Sequence, residues 1–516
     1  MDPRREETPE LVRPDPAEAA SPPAGETARE RVVSRHGRLV ARTVLVSLLT
    51  LVSRLLGFVR EMVMGAIFGD ASAVSDAFFT AWRVPNLFRR LFGEGALSTS
   101  LQTAMTEADV GAGEDAGRRL FLRTIGLTAW ILLAVSALSM VLVSLMPDRM
   151  PATGWPWLGA DPGPVRDLTV RMMPFVLLVC LAALCGGALQ VRGHYTAPNL
   201  APAAMNVVWI GALVAVGVAF GWGGSGGGGS GPAIEAQWTM ARWLAAGVLL
   251  GGALQLLLHL PPLVTRGLLP RSGAARTPPA TPALAPVEVA RLPGGWSVLR
   301  STLPLAFGAA VYQINVMVDG LMAEGLLENG GPTVLYYANR VQQFPLAVVA
   351  VSTTTAVFPA LSALGHTGRL EEMRRLHDRA QWAIAFLAVP AAVGLFALSE
   401  PIAAVLFERG NFGAAGVVRM ARTLDMLAIA MVPAGATSLM ARAFYARNDF
   451  QTPVRISCVL LAANIVLNFL AVRGLGMDAD GLALSTAVTA WGNLLWLSVG
   501  LRRRVGLPAS ALPLAP

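Results

Sequence analysis

Long apolar runs, each bounded by charged or turn-forming clusters, recur along almost the whole chain. Each is about 20 residues or longer, enough for a helix to cross ~30 Å of hydrocarbon. They fall near 40–68, 74–104, 120–146, 167–190, 198–220 and 239–263, and again near 300–325, 333–363, 380–407, 415–446, 453–473 and 479–501. The pattern predicts an all-α polytopic membrane protein with about twelve transmembrane helices.

The polar stretches between the runs alternate in charge. Arg31, Arg35, Arg38 and Arg42 lead into the first run, and Arg266, Arg271, Arg276 and Arg291 follow the sixth. Arg369, Arg374, Arg375 and Arg379 follow the eighth, and Arg502, Arg503 and Arg504 the twelfth. The alternate loops, 69–73, 221–238 and 324–332, hold no arginine. Basic loops stay cytoplasmic, so both termini are expected on the cytoplasmic side.

The chain then divides into a disordered cytoplasmic tail (1–36), a six-helix lobe (37–263), a cytoplasmic linker (264–299), a second six-helix lobe (300–502) and a short tail (503–516). The tail is rich in Pro, Glu, Arg and Ala with little apolar content, and no cleavable leader is evident. The Gly/Ser run from Gly221 to Gly231 reads as a flexible outward loop, since no GK[ST] follows it.

Composition agrees. Of 516 residues, 54% are hydrophobic and 14% charged, with mean hydropathy +0.54. All 41 basic residues are arginine and the net charge is +8. Their placement beside apolar runs, with no basic stripe interleaved with stacking aromatics, argues for a membrane surface and against nucleic acid. Cys180, Cys185 and Cys458 all lie in apolar runs and read as small buried hydrophobes. The five histidines are scattered, so they suggest no metal site.

The two halves repeat. Gln190-x-Arg192-x-x-Tyr195-x-x-Pro198 matches Tyr445-x-Arg447-x-x-Phe450-x-x-Pro453 at an offset of 255, and Phe79-x-x-x-Arg83-Val84 matches Tyr336-x-x-x-Arg340-Val341 at 257. Six helices separate the copies, which makes the repeat parallel; such lobes usually enclose a site between them.

Charge inside the membrane marks where that site should be. Arg54 lies about fourteen residues into the first span, or ~21 Å deep at 1.5 Å per residue. An unpaired arginine there costs at least ~2.5 kcal/mol. Arg54 and Glu61 share a helical face, whereas Arg60 points elsewhere unless Gly57 bends the helix. The plainer alternative for Arg54 and Arg60 is a purely structural salt bridge with Glu61. The second span carries Asp76, Arg83, Arg89, Arg90 and Glu94, with Asp76, Arg83 and Arg90 spaced by seven across Pro85-Asn86. So much charge is expected to line a cavity, although Arg89 and Arg90 also suit interfacial anchoring. For Arg340, early in the eighth span, snorkelling to the interface is the alternative.

The segments SRLLGFVREMVMGAIFG, DAFFTAWRVPNLFRRLFGEGALS, YYANRVQQFP and AFYARNDFQTPVRIS resemble the MurJ (MviN) family of lipid II flippases, in family order over about residues 40–500. The resemblance implies transport of lipid II from the cytoplasmic to the periplasmic leaflet of the bacterial inner membrane. It implies no enzymatic reaction. Arg54, Arg60, Arg89 and Arg340 match cavity arginines that engage the lipid II headgroup, and Glu61 and Asp76 match acidic positions. Asn86 and Gln343 complete the candidate substrate-binding set. Arginine suits this role because it stays charged at any depth and its fork pairs with phosphate oxygens. The implied partners are lipid II, the surrounding membrane lipids and cell-wall synthesis proteins.

The chain departs from the family pattern in three places. Gln343 stands where the family has an acid. About twelve helices stand where the family has fourteen, and the missing pair is thought to help form a groove for the polyprenyl tail. Asp319, Asn464, Asn468 and Thr486 match a sodium site of some members, with Asn468 in place of an acid. A hydrogen bond from a neighbouring helix would satisfy Asp319 as well as a cation. Other readings are export of a different polyprenyl-diphosphate oligosaccharide, export of a small drug, a non-transporting scaffold, or a membrane enzyme. The enzyme reading lacks a catalytic carboxylate or metal motif.

Overall fold

A computed structural model describes residues 28–90, 96–146, 163–221, 234–270, 295–447 and 449–505. The described residues form helices and connecting turns. In the first lobe these are α1 (Ala28–Phe68), α2 (Ala73–Phe88), α3 (Ala96–Ala112), α4 (Glu114–Ser144), α5 (Gly163–Met172), α6 (Pro174–Val191), α7 (Thr196–Ala219), α8 (Ile234–Leu257) and α9 (Leu260–Thr265). In the second they are α10 (Gly295–Leu326), α11 (Gly331–Leu346), α12 (Ser352–His366), α13 (Leu370–Ala397), α14 (Ser399–Phe407), α15 (Ala414–Tyr445), α16 (Gln451–Phe469) and α17 (Ala479–Gly500).

Each of the twelve apolar runs is helical, several in two pieces. Among the described residues, eight helical stretches are long and apolar enough to cross a membrane. The other four, α1, α2–α3, α10 and α11–α12, carry most of the charged candidates. Breaks fall where the backbone loses a bond. Pro345, inside α11, precedes a wider helical turn at Ala347–Val351.

Three sequence expectations change. Helix α1 begins at Ala28, within the stretch read as a disordered tail. Glu324, read as a loop residue, sits in the last turn of α10. Cys458 is exposed on α16, whereas Cys180 and Cys185 are buried; the outer face of a membrane helix is apolar, so an apolar run does not imply burial. The Gly/Ser loop lies almost wholly outside the described residues, as do most of the linker and of the last tail.

The apolar cores show how the lobes meet. One large core runs across both, joining Phe79, Trp82 and Trp209 of the first lobe to Tyr337, Phe407 and Phe412 of the second. At the opposite end two separate cores form, one around Leu101, Phe121 and Leu189 that also takes in Val298 of α10, and one around Leu361, Ile384 and Phe444 of the second lobe. The lobes are therefore joined at the end carrying loops 69–72, 327–330 and 408–413, here called the sealed end. Helix α10 crosses between them, packing on α2, α3 and α4.

Polar contacts reinforce the sealed end. The Asp76 carboxylate accepts hydrogen bonds from the Gly330 N–H (2.6 Å), the Thr333 N–H (2.9 Å) and the Thr333 hydroxyl (2.5 Å). An N-lobe aspartate thus caps the N-terminus of a C-lobe helix, where unpaired N–H groups and the helix dipole favour negative charge. Gly330 holds φ +88°, and a Cβ there would strike the Asp70 carbonyl. Asp70 in turn accepts from the Gly413 N–H at 3.0 Å. Asn411 bonds back to α1, its N–H to Ala66 (2.9 Å) and its amide to Ile67 (2.6 Å).

Candidate functional site

Helix α1 brings Arg60 and Glu61 to the middle of the bundle, and both are buried. They are ion-paired directly. Arg60 also donates to Asn206 Oδ1 (3.2 Å) and lies over the Trp209 ring, 4.1 Å from its centroid. Its charge is thus satisfied by a carboxylate, an amide and an aromatic face. Asn206 completes the link by donating to the Ser53 carbonyl at 3.1 Å. Glu61 accepts a further bond from the Tyr336 hydroxyl at 3.3 Å, across the seam.

Arg340 approaches this cluster from α11. Its Nε stands 3.9 Å from Glu61 Oε1, beyond hydrogen-bond range, and its side chain is 36% exposed against 2% for Glu61. Arg340 lies beside Gly57, where a Cβ would sit 3.4 Å from a guanidinium nitrogen. Arg54 is exposed, and Gln343 is half-buried one turn beyond Arg340. Arg89 is half-buried and donates through Nε (3.1 Å) and Nη2 (2.9 Å) to Asn86 Oδ1. The structure gathers Arg60, Glu61 and Arg340, places Arg89 with Asn86 farther along α2, and puts Asp76 in the sealed-end cap.

The seven-residue face of α2 does form despite Pro85. Asp76, Arg83 and Arg90 all reach the second lobe, Arg83 through a bond to the Val316 carbonyl (3.0 Å) and Arg90 to Gln313 Oε1 (3.3 Å). These groups lie along the seam between the lobes.

Asp319, Asn464, Asn468 and Thr486 come together from α10, α16 and α17. Asp319 accepts from Asn468 Nδ2 (2.8 Å), Asn315 Nδ2 (3.1 Å) and Thr486 Oγ1 (3.3 Å). Asn468 Nδ2 also lies 3.2 Å from Asn464 Oδ1. Both asparagines are fully buried, and Asn468 Oδ1 and Asn464 Nδ2 have no hydrogen-bond partner. Among the described residues no three His, Cys, Asp or Glu side chains group as a metal site.

Sequence reasoning missed Asn206, Trp209 and Tyr336. Asn206 offered a signal, as a lone amide inside an apolar run. Trp209 and Tyr336 offered none, because aromatic residues are ordinary in such helices.

Two helical lobes joined at one end around buried arginines define a polytopic membrane protein with the architecture of a transporter. Comparison with known proteins places it further. The family model described as lipid II flippase MurJ matches residues 64–513. A probable lipid II flippase MurJ of Vibrio cholerae is 31% identical over 90% of this chain and 83% of its own length. The lipid II flippase MurJ of Burkholderia cenocepacia is 31% identical over 89% of this chain and 83% of its own. This chain belongs to the MurJ family. A solved structure of lipid II flippase MurJ in an inward closed conformation shares the fold, with TM-score 0.67, 22% identity, and 89% and 87% of the two chains covered. An inward-facing multidrug resistance transporter of the MATE family shares it more distantly, at TM-score 0.58 and 12% identity.

Proposed function

We propose that this chain moves lipid II from the cytoplasmic to the periplasmic leaflet of a bacterial inner membrane, with the diphosphate held by the central arginines. The observation that carries this reading is the Arg340–Glu61 relationship. Glu61 is already satisfied by Arg60 and Tyr336, so Arg340 can take an anion without leaving a buried carboxylate unpaired. Its partly exposed fork matches phosphate oxygens, and Arg54 on α1 is a second exposed cation.

Orientation follows from charge. The end opposite the seal carries Arg266, Arg369, Arg374 and Arg375, so it faces the cytoplasm with both termini. The sealed end is then periplasmic, and this conformation receives substrate from the cytoplasmic side. Rocking of the lobes about α10 would break the Asp76 and Asp70 caps and present the arginines outward.

A sodium ion fits the Asp319 cluster. Hard cations take oxygen ligands, and Asp319, Asn464, Thr486 and the unpartnered Asn468 Oδ1 supply them. Turning the Asn468 amide over would exchange its donor toward Asp319 for that oxygen.

Native mass spectrometry of the purified chain with lipid II tests the binding step. Wild type should retain lipid II, and Arg340→Ala should lose at least ten-fold in affinity. Equal retention by both would reject the arginine site.

A further inference from the structure

Arg419 lies outside the arginine site, on the first two turns of α15, and its contacts converge on the sealed end. Its Nε and Nη2 pair with the Asp478 carboxylate just before α17, Nη2 at 2.8 Å. Nη1 donates to the Asn329 carbonyl at 2.7 Å, and Nη2 reaches the Glu328 carbonyl at 3.5 Å. One guanidinium therefore ties together α15, the start of α17 and the turn between α10 and α11. Its side chain is 24% exposed, which shields the fork from much of the screening that weakens surface pairs.

The turn that Arg419 holds is a tight one. The Gly331 N–H donates to the Glu328 carbonyl at 3.0 Å, and Gly330 at the third position has φ +88° and ψ −16°. That is a type II turn, which requires a positive φ there and so takes glycine. Types I and II differ by a half-turn of the central peptide, here Asn329–Gly330. In a trans peptide the C=O and the N–H point in opposite directions. The Asn329 carbonyl faces Arg419, and the N–H on the other side of the same peptide donates to Asp76 of the first lobe at 2.6 Å. Arg419 and Asp76 thus grip opposite poles of one peptide unit.

We propose that Arg419 is a positioning residue of the transport cycle: by holding the Asn329 carbonyl it fixes the Asn329–Gly330 peptide with its N–H toward Asp76, and so sets how firmly the sealed end stays shut. If that peptide swings by half a turn, the N–H leaves Asp76 and a carbonyl oxygen turns toward the carboxylate, so attraction becomes repulsion. The charged donor on the carbonyl also polarises the peptide, which strengthens the N–H bond to Asp76 on the far side. The proposal rests on the reading that the lobes part at this end during transport, and adds a residue that sets the strength of the closure from behind the turn.

The test is a double-mutant cycle of Arg419→Gln and Asp76→Ala in the full-length purified chain in detergent. Its readout is the rate at which a maleimide labels a cysteine at the fully buried Ser75, with the exposed Cys458 replaced by alanine. Arg419→Gln should raise the labelling rate about ten-fold, equivalent to ~1.4 kcal/mol in the opening equilibrium. Asp76→Ala should raise it at least as far, and the double variant no further than Asp76→Ala alone, because Arg419 acts through the bond that Asp76 makes. A merely structural role for Arg419 would instead multiply the two effects. A wild-type rate for Arg419→Gln, multiplied effects in the double variant, or a wild-type rate for Asp76→Ala would each overturn the proposal. Should Arg419→Gln not survive purification, Arg419→Met, which keeps an unbranched stem without the fork, carries the same decision. The labelling uses no lipid II, so its outcome is separate from that of the substrate reading.

Discussion

Phe79 and Tyr336 occupy equivalent positions in the two halves, and their rings stack on one another with centroids 4.0 Å apart and planes inclined by 23°. The repeat that relates the lobes thus brings corresponding side chains face to face across the seam. The next residue on α2, Thr80, bonds to Glu324 of the other lobe, and the Tyr336 hydroxyl bonds to Glu61. Stacked aromatic pairs are worth ~0.5–1.5 kcal/mol beyond their burial. A double-mutant cycle of Phe79→Leu and Tyr336→Leu, read by thermal unfolding in detergent, should give a coupling energy in that range. Strict additivity would mean that the ring pair does not hold the lobes together.

Removing the cap on α11 should loosen the sealed end. Asp76→Ala takes away three hydrogen bonds, two of them from backbone N–H groups. Caps contribute ~0.5–2 kcal/mol. A cysteine at Ser75, fully buried beside the cap, should become reactive to a maleimide in the Asp76→Ala background. Unchanged protection would show that the apolar core alone keeps this end shut.

Arg60 and Arg340 should fail in different ways. Arg60→Ala leaves Glu61 buried without its ion pair, a loss of ~3–5 kcal/mol, so its level in the membrane should fall. Arg340→Ala breaks only a 3.9 Å contact, so the protein should accumulate normally yet lose transport. Arg340→Lys should be partly active if paired phosphate contacts matter. Immunoblots of membranes beside a growth assay separate these outcomes, and equal accumulation of both alanine variants would contradict the division of roles.

These differences mark what the sequence could and could not reveal. Periodic apolar runs and the repeat were legible because membrane helices must be long and apolar, and a duplicated lobe keeps its spacing. Arg60 and Glu61 were recognisable as charges that lipid does not tolerate. Their partners Asn206, Trp209 and Tyr336 were not, because contact between α1, α7 and α11 is set by packing across the chain. Asp76 illustrates the same limit: an acid in a span signals a special environment, but only the fold tells a helix cap from a ligand. Glu324 was placed in a loop because a helix end two residues farther on has no sharp signal.

By the family resemblance, Gln343 stands where an acid is expected one turn beyond Arg340. Without it, Arg340 faces one fewer negative charge and should hold a diphosphate more firmly. Gln343→Glu should therefore weaken lipid II binding severalfold and change its salt dependence. Fluorescence titration at two ionic strengths measures this; equal affinities at both would mean that position 343 does not sense the ligand's charge.

The central claim is outward movement of lipid II through the arginine site. Its most direct measurement follows lipid II reaching the periplasmic leaflet in a bacterium depleted of its own flippase, detected by a periplasmic enzyme that cleaves the exposed headgroup. Expression of this chain should restore cleavage, and Arg340→Ala, present at the same level, should not. No restoration by the wild-type chain while it accumulates in the membrane would contradict the account, as would full restoration by Arg340→Ala.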